Sequence, residues 1–335
     1  MIDGPGAFRG WWSRMPETET TPTSTASIEG NDAIRCIGIL GHVGKPGMPE
    51  HVAALRKQLG ARGIKVCLEQ DLVRELTKMG HCTADEQGYD LSALNKVSDR
   101  LAVLGGDGTI LNFFRKLPTA EEPKPIVGVN LGRLGFLTSV ARSNIEGAAD
   151  LLLEPTLKNY QPRTMLSVRI TPGNADSPEE VFTALNEVTF TRGIIPRLVE
   201  LECVVDGELV STFNADGLIV ATPTGSTAYA LAVGGPILTP SLPVFVIAPI
   251  CPHVLTNRPL VVDHKSVILV RLRQSPIKET LEVYVTVDGG APRQITSEDQ
   301  VEITLAPWQA RLAMPTETSF FQILREKLKW SGSAV

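Results

Sequence analysis

The first half of the chain alternates between two periodicities. Short β-branched apolar runs that end in glycine are followed by segments whose apolar positions recur every three or four residues. IRCIGILG (34–41) has the form of a buried strand. PEHVAALRKQLGARG (49–63) places Val52, Leu55 and Leu59 at helical spacing, with Gly60 and Gly63 as stop signals. IKVCLE (64–69) predicts a second strand and Asp71–Lys78 a second helix. LAVLGG (101–106) and TILNFFRKL predict a third strand and helix. PIVGVNLG (125–132) and NIEGAADLLLE (144–154) predict one more of each. Strand and helix in alternation imply a parallel sheet covered on both faces.

Beyond Tyr160-Gln161-Pro162 the period changes to two. TMLSVRITP, VFTALNEVTFTRG, RLVELECVVDGELVSTFNADGLIVATP, SVILVRLR, LEVYVTVDGG and QVEITLA all alternate apolar and polar residues. VDGE (205–208) and VDGG (287–290) carry the Asp-Gly signal of tight hairpins. These features predict an all-β domain, a sandwich or layered sheets. SFFQILREKLKW predicts a terminal amphipathic helix that packs back on the rest. The expected division is a disordered tail over 1–32, an α/β domain over 33–158, a β-rich domain over 159–310 and a C-terminal segment over 311–335 that packs back on the α/β domain. The tail is assigned from its Thr, Pro, Ser and Glu content, and Trp11 and Trp12 lie within it.

Composition narrows the partners. With 43% hydrophobic and 21% charged residues the chain is an ordinary globular mix. A formal net charge of -5 leaves no footprint for nucleic acid. Five widely spaced cysteines at odd number predict neither a disulfide framework nor a zinc site, and fit a reducing compartment. No run approaches the ~20 apolar residues of a membrane span, so a cytoplasmic protein is expected.

Five stretches carry candidate chemistry. GILGHVGK resembles a P-loop but has Ile39 where the first glycine belongs and Pro46 after Lys45, so a Walker A loop is rejected. Gly38, Gly41 and Gly44 remain candidates to line a cleft. In GGDG, glycines at Gly105, Gly106 and Gly108 allow left-handed backbone and hence a nest of N–H groups for an anion. A following helix adds its positive end, and Thr109 is placed to cap it or to touch phosphate. Asp107 would repel phosphate unless it holds Mg²⁺ or takes a proton from an attacking hydroxyl; otherwise it merely caps the helix.

Asn186 and Glu187 interrupt an apolar strand with an amide and an acid, both needing partners. A nucleoside has suitable ones. In ADGLIVATPTGSTAYALAVGGPILTP (215–240), Thr222, Thr224, Ser226, Thr227 and Tyr229 offer hydroxyls to an uncharged ligand, and Gly225 allows close approach. Arg133 and Phe136 follow the fourth strand, placed for phosphate and for stacking on a base respectively.

GGDG (105–108), NLGRLGFLT (130–138), NE (186–187), DGLIVATPTGSTAYALAVGGPILTPSL (216–242) and ICPHVLTNRPLVV (250–262) together resemble the NAD kinases, bacterial members in particular. The resemblance covers about Ile34 to Trp330. It implies a Rossmann-like α/β domain, an all-β C-terminal domain and a site between them. It implies transfer of the ATP γ-phosphate to the 2′-hydroxyl of the adenosine ribose of NAD, giving NADP, with Mg²⁺ or another divalent cation carried by ATP rather than by direct protein ligands. It further implies Asp107 as catalytic base, with Gly106 and Gly108 beside it. Asn186, Glu187, Thr224, Thr227, Ala228 and Tyr229 would hold the nucleoside, Phe136 would line the NAD pocket, and Asp216 would reach the nicotinamide half across a subunit interface. Gly105, Thr109 and Arg133 are the phosphate candidates. Partners implied are NAD, ATP and a homodimer or homotetramer, with no membrane. Asn214, where the family varies with NAD or NADH preference, decides nothing. GGDG alone also fits lipid kinases of the diacylglycerol and sphingosine type, and a non-catalytic NAD(P) sensor is the third reading.

Overall fold

The computed structural model describes residues 34–132, 135–174, 176–194, 197–273, 282–315 and 319–330. The predicted tail lies outside them, as does Arg133. The chain runs β1 (Cys36–Gly41), α1 (Met48–Gly60), β2 (Lys65–Glu69), α2 (Gln70–Lys78), β3 (Gly88–Tyr89) and α3 (Leu91–Val97). It continues through β4 (Arg100–Gly105), α4 (Asp107–Lys116), β5 (Ile126–Asn130), β6 (Val140–Ala141), α5 (Ile145–Leu153) and β7 (Tyr160–Arg163). The first sheet has the order β3-β2-β1-β4-β5-β20-β7, with β6 beside β5; β20 is Ala310–Ala313.

The two faces of this sheet have separate cores because neighbouring strand residues point opposite ways. Ala102 and Leu104 pack with Val52, Leu72 and Leu152 of α1, α2 and α5. Leu101 and Val103 pack with Leu94, Ile110 and Phe113 of α3 and α4, and this second cluster continues into Met165 and Leu185. Helices thus cover both faces. The apolar spacing does not predict α3, which has only seven residues and is started by Asp90 accepting a hydrogen bond from the Ala93 N–H at 2.7 Å.

β8 (Leu166–Thr171), β9 (Glu180–Ala184), β10 (Glu187–Arg192), β11 (Val199–Val205), β12 (Glu208–Ala215) and β13 (Gly217–Ala221) follow. A 3-10 turn (Gly225–Thr227), α6 (Tyr229–Ala232), β14 (Val244–Ile250), β15 (Leu260–Asp263), β16 (Ile268–Leu272), β17 (Val283–Val287), β18 (Arg293–Ile295) and β19 (Gln300–Leu305) complete the β-rich part, and α7 (Phe320–Leu328) follows β20. Two six-stranded sheets, β15-β14-β13-β10-β17-β18 and β12-β11-β16-β19-β8-β9, face one another. Their inward residues, such as Val188, Phe190, Leu201 and Val270, form one core. Both Asp-Gly turns have the left-handed backbone that the dipeptide favours: φ is 50° and 83° at Asp206 and Gly207, and 45° and 66° at Asp288 and Gly289.

The end of the chain returns to the first sheet. Leu312 of β20 pairs in parallel with Ile126 of β5, while Ala310 of β20 lies antiparallel opposite Arg163 of β7. β20 opens the segment expected to pack back on the α/β domain, whereas β7 falls in the stretch assigned to the β-rich domain, since a four-residue strand carries too few positions to mark its sheet.

One buried cation ties helix to sheet. Arg100, at the start of β4, donates through Nη1 to the carbonyls of Leu151 and Leu152 at 3.0 and 3.1 Å, and through Nη2 to Glu154 at 2.5 Å. It thereby satisfies the last carbonyls of α5 and complements the negative end of that helix. Replacing Arg100 by Leu leaves the Leu152 and Glu154 carbonyls without this donor, while Leu151 O keeps the Tyr160 hydroxyl at 2.9 Å. We expect a loss of ~2–4 kcal/mol, measured as a lowered urea midpoint with unchanged slope.

Candidate active site

The sheet order places a crevice between β1 and β4, where consecutive connections diverge to opposite sides. In open α/β sheets ligands collect outside the carboxyl ends of the strands at such a point. A cavity of about 420 Å³ opens there, lined among others by Gly41, His42, Glu69, Gly108, Thr109 and Arg115. A larger depression of about 690 Å³ lies over α2, β3 and α3; no residue of GGDG lines it and it gathers none of the predicted residues. Of the strand-end glycines, Gly41 lines the crevice, whereas a side chain on Gly38 would strike Ser98 and Leu101 in the core.

Buried β4 runs directly into α4, with Gly106 as N-cap at φ -134°, ψ -173° and Asp107 as the first helical residue. None of Gly105, Gly106 and Gly108 is among the positive-φ residues, so the expected left-handed nest does not form. Their lack of a side chain serves space instead. A Cβ on Gly105 would come within 2.2 Å of the Thr109 hydroxyl, while Gly106 and Gly108 border open space. Thr109 is also accounted for: its Oγ1 accepts from the Gly106 N–H at 3.3 Å and completes the cap.

The Asp107 carboxylate faces the loop after β5. Oδ2 accepts from the Phe136 N–H at 2.8 Å. Oδ1 accepts from the N–H groups of Leu137 and Thr138 at 3.1 and 3.2 Å and from the Thr138 hydroxyl at 3.2 Å. Asp107 is therefore not the helix cap; it is an oriented acceptor. The clasp needs Gly135, where a Cβ would stand 1.8 Å from Oδ1. Motif reading passed over that glycine because its neighbour in space is 28 positions away in the chain. Gly135→Ala must displace either loop or carboxylate, and we expect a cost of ~1–3 kcal/mol, read as a fall in melting temperature. Behind the site lies Arg163, almost fully buried, its Nε without a partner. Burial pushes its guanidinium down to about 10, opposed by the charge of Asp107. Phe136 is half-buried, its ring centroid 6.2 Å from that of Phe320 in α7 and 5.9 Å from Lys327 Nζ.

Across the crevice, Leu185-Asn186-Glu187 enters β10. Asp288, in the VDGG turn, accepts from all three backbone N–H groups: Leu185 at 2.7, Asn186 at 2.8 and Glu187 at 2.9 Å. The sequence marked this Asp only as a turn residue. Its own carbonyl accepts from Arg115 Nη1 of α4 at 3.1 Å. Helix α4 and the Asn186–Glu187 segment are thus joined through one residue.

The hydroxyl-rich loop divides. Thr222 and Ser226 are fully buried and bonded to backbone, Thr222 to Leu185 O at 2.6 Å and Ser226 to Pro223 O at 2.6 Å. They do not form ligand surface. Thr224 is buried with Oγ1 lacking any partner, Thr227 bonds Thr224 O at 3.2 Å, and Tyr229 is 42% exposed. Ala228 connects the 3-10 turn to α6. Gly225 is obligatory, because a Cβ there would meet Asn186 O at 2.1 Å. Asp216 sits at the other end of the β10–β13 pairing, which runs from Glu187↔Ala221 to Thr191↔Gly217. Asp216 lies one step beyond that end, opposite Arg192, ~17 Å from Glu187 along the strand, and there pairs with Arg192 Nε at 2.6 Å. The Asn186–Glu187 group and Asp216 are therefore not brought together within one chain. Among the described residues no three His, Cys, Asp or Glu side chains converge as a metal site, and no helix is long and apolar enough to cross a membrane.

The ATP-NAD kinase N-terminal domain model matches residues 37–157, and the ATP-NAD kinase C-terminal domain model matches residues 185–314. The chain belongs to the ATP-NAD kinase family. Among the family's members, the NAD kinase of Geotalea daltonii is 37% identical over 296 residues, covering 88% of this chain and 94% of the relative. The fold is shared with yeast NADH kinase solved with NADH, at a TM-score of 0.80 and 24% identity over 91% of this chain and 90% of that one. It is also shared with an Archaeoglobus fulgidus NAD kinase solved with ATP, at 0.64 and 24% over 87% and 98%.

Burial raises the Glu187 carboxyl to about 8, helped by the charge of Asp288. Asp288 is itself raised to about 6 by burial, against its three N–H donors and Arg115. Both folded-state values exceed ordinary carboxyl values of about 4. The native state then holds protons that the unfolded chain has released, so stability falls as pH rises from about 5 toward about 8. Glu187→Gln should flatten this decline, as measured by urea midpoints at the two ends of that range.

Proposed function

We propose that Asp107 is the general base of an ATP-dependent NAD kinase, accepting the proton of the adenosine 2′-hydroxyl as that oxygen attacks the γ-phosphorus of ATP. The P–O bond to ADP breaks and NADP is released. A ribose hydroxyl is a weak nucleophile near neutral pH, and a positioned base contributes about 10² to 10⁴ in rate. Oδ2 suits the role, since it accepts a single loop hydrogen bond and a carboxylate oxygen has two lone pairs. Asn186, Glu187, Thr224, Thr227, Ala228 and Tyr229 hold the nucleoside, with Phe136 at the pocket wall. The unpartnered Oε2 of buried Glu187 and Oγ1 of Thr224 support this, because each lacks the hydrogen bond a ligand would complete.

The observation that carries the reading is the bonded link between base helix and nucleoside segment: Arg115 to Asp288, and Asp288 to Asn186 and Glu187. It holds both substrate-facing groups in one register, which is what phosphoryl transfer by positioning requires. ATP enters with Mg²⁺ or another divalent cation as part of the donor, its phosphates directed to the first turn of α4 and to Gly105, Gly106, Gly108, Thr109 and Arg133. Asp216 meets the nicotinamide half from a second copy, so the working assembly is a homodimer or homotetramer, placed in the cytoplasm. We keep the division into a tail over 1–32, an α/β domain over 33–158, a β-rich domain over 159–310 and a returning segment over 311–335, with β7 (Tyr160–Arg163) crossing over to the first sheet.

Asp107→Asn should lower NADP formation by about 10² to 10⁴-fold in an assay coupled to an NADP-specific dehydrogenase, while calorimetry shows NAD affinity within a few-fold of the parent. Retained turnover would remove Asp107 from the base role.

A further inference from the structure

Leu185, Asn186 and Glu187 carry six backbone hydrogen-bonding groups, and two residues from remote parts of the chain satisfy all of them. Asp288 Oδ2 accepts from Leu185, and Oδ1 accepts from Asn186 and Glu187. The Asp288 N–H donates to Glu187 O at 3.0 Å. Thr222 supplies the other side: Oγ1 donates to Leu185 O at 2.6 Å and the Thr222 N–H to Asn186 O at 2.8 Å. The same Oγ1 accepts from Gly225 N–H at 3.1 Å, which seats Gly225 against Asn186 O. Asp288 and Thr222 are both buried, at 5% and 0% exposure. Among the described residues the Asp288 carboxylate takes backbone N–H groups alone, since Arg115 reaches only its carbonyl.

We propose that Asp288 and Thr222 are positioning residues for nucleoside recognition, acting on NAD through Asn186 and Glu187 without touching it. This rests on the reading of Asn186 and Glu187 as the nucleoside-binding pair. The physical reason is directional. A ribose hydroxyl or base nitrogen is recognised only if the side chains that meet it are held within ~0.5 Å of the productive geometry. A three-residue segment clamped at every N–H and C=O cannot turn its side chains by backbone rotation. Release of one side of the clamp restores that freedom, and the affinity lost is that of the nucleoside rather than of the phosphate donor.

The test compares Asp288→Asn, Thr222→Val, Thr222→Ser and Asn186→Ala, with NAD affinity read by calorimetry and KM read separately for NAD and ATP. Asn at 288 presents an amide donor to one of the three N–H groups. Val at 222 keeps the shape and removes the hydroxyl, whereas Ser keeps the hydroxyl. Asp288→Asn and Thr222→Val should weaken NAD binding about tenfold or more with KM for ATP within about twofold, and Thr222→Ser should stay within about threefold of the parent. Unchanged NAD affinity in folded Asp288→Asn overturns the proposal, as does a parallel rise in both KM values. If Asp288→Asn does not fold, Thr222→Val against Thr222→Ser decides on the same criterion. Asn186→Ala separates the two levels. If it leaves NAD affinity unchanged, the nucleoside reading fails and the positioning role with it. If it weakens NAD while the Asp288 and Thr222 variants do not, only the positioning role falls.

Discussion

A carboxylate that accepts the N–H groups of three successive residues is the unit on which this molecule's crevice is built. A loop that must pass through a protein interior carries donors that strand pairing cannot satisfy, and each left unmatched costs about 1–3 kcal/mol. Asp107 answers this for Phe136, Leu137 and Thr138. Asp288 answers it for Leu185, Asn186 and Glu187. In both cases the acid and its loop lie far apart in sequence, and each fixes the other. In the proposed function the first of these clasps orients the base itself, and the second orients the nucleoside-binding groups beside it.

Strand register is what lets these contacts form. Gly105 at the end of β4 lies opposite Asn130 at the end of β5, so the helix that follows one strand and the loop that follows the other leave the sheet side by side. Val188 of β10 lies opposite Val287 of β17, which sets Glu187 against Asp288 one step further on. The apolar alternation that fills the two cores therefore also dictates where the polar residues at the strand ends meet. A slip of one residue would reverse the faces of the strand and separate the partners together.

The legible part of the sequence was the part that repeats. Helical spacing of Val52, Leu55 and Leu59, glycine after apolar runs, and Asp-Gly at the tight turn between Val205 and Glu208 all report local geometry; the second Asp-Gly turns the chain but leaves a wider loop, its ladder closing at Val285 and Arg293. GGDG, Asn186–Glu187 and the TPTGSTAY loop were legible as a constellation. Their internal detail was not. A glycine may mean a left-handed turn or a missing Cβ, and only the position of Thr109 shows that Gly105 is the latter. A hydroxyl may face a ligand or a carbonyl, and Thr222 and Ser226 face carbonyls. Asp288 carries an unmistakable turn signal, which conceals that its side chain has a separate task. The partners of Asp288 and Thr222 lie 37 or more residues away, where no local pattern points, whereas those of Gly105 and Ser226 are three or four residues off and depend on rotamers that a residue pattern does not specify.

The return of β20 to the first sheet bears on how the chain matures during synthesis. Strands β1 to β5 emerge from the ribosome early, but the neighbour of Ile126 in β5 is Leu312. Until that late segment is made, β5 has an open edge on this side apart from the short β6 at its far end. Pairing across such a separation is slow to close, and an unpaired edge invites association with other nascent chains. Translation of the β-rich portion thus sets an interval during which the early half is structurally unfinished, and truncation before residue 310 would leave it so permanently.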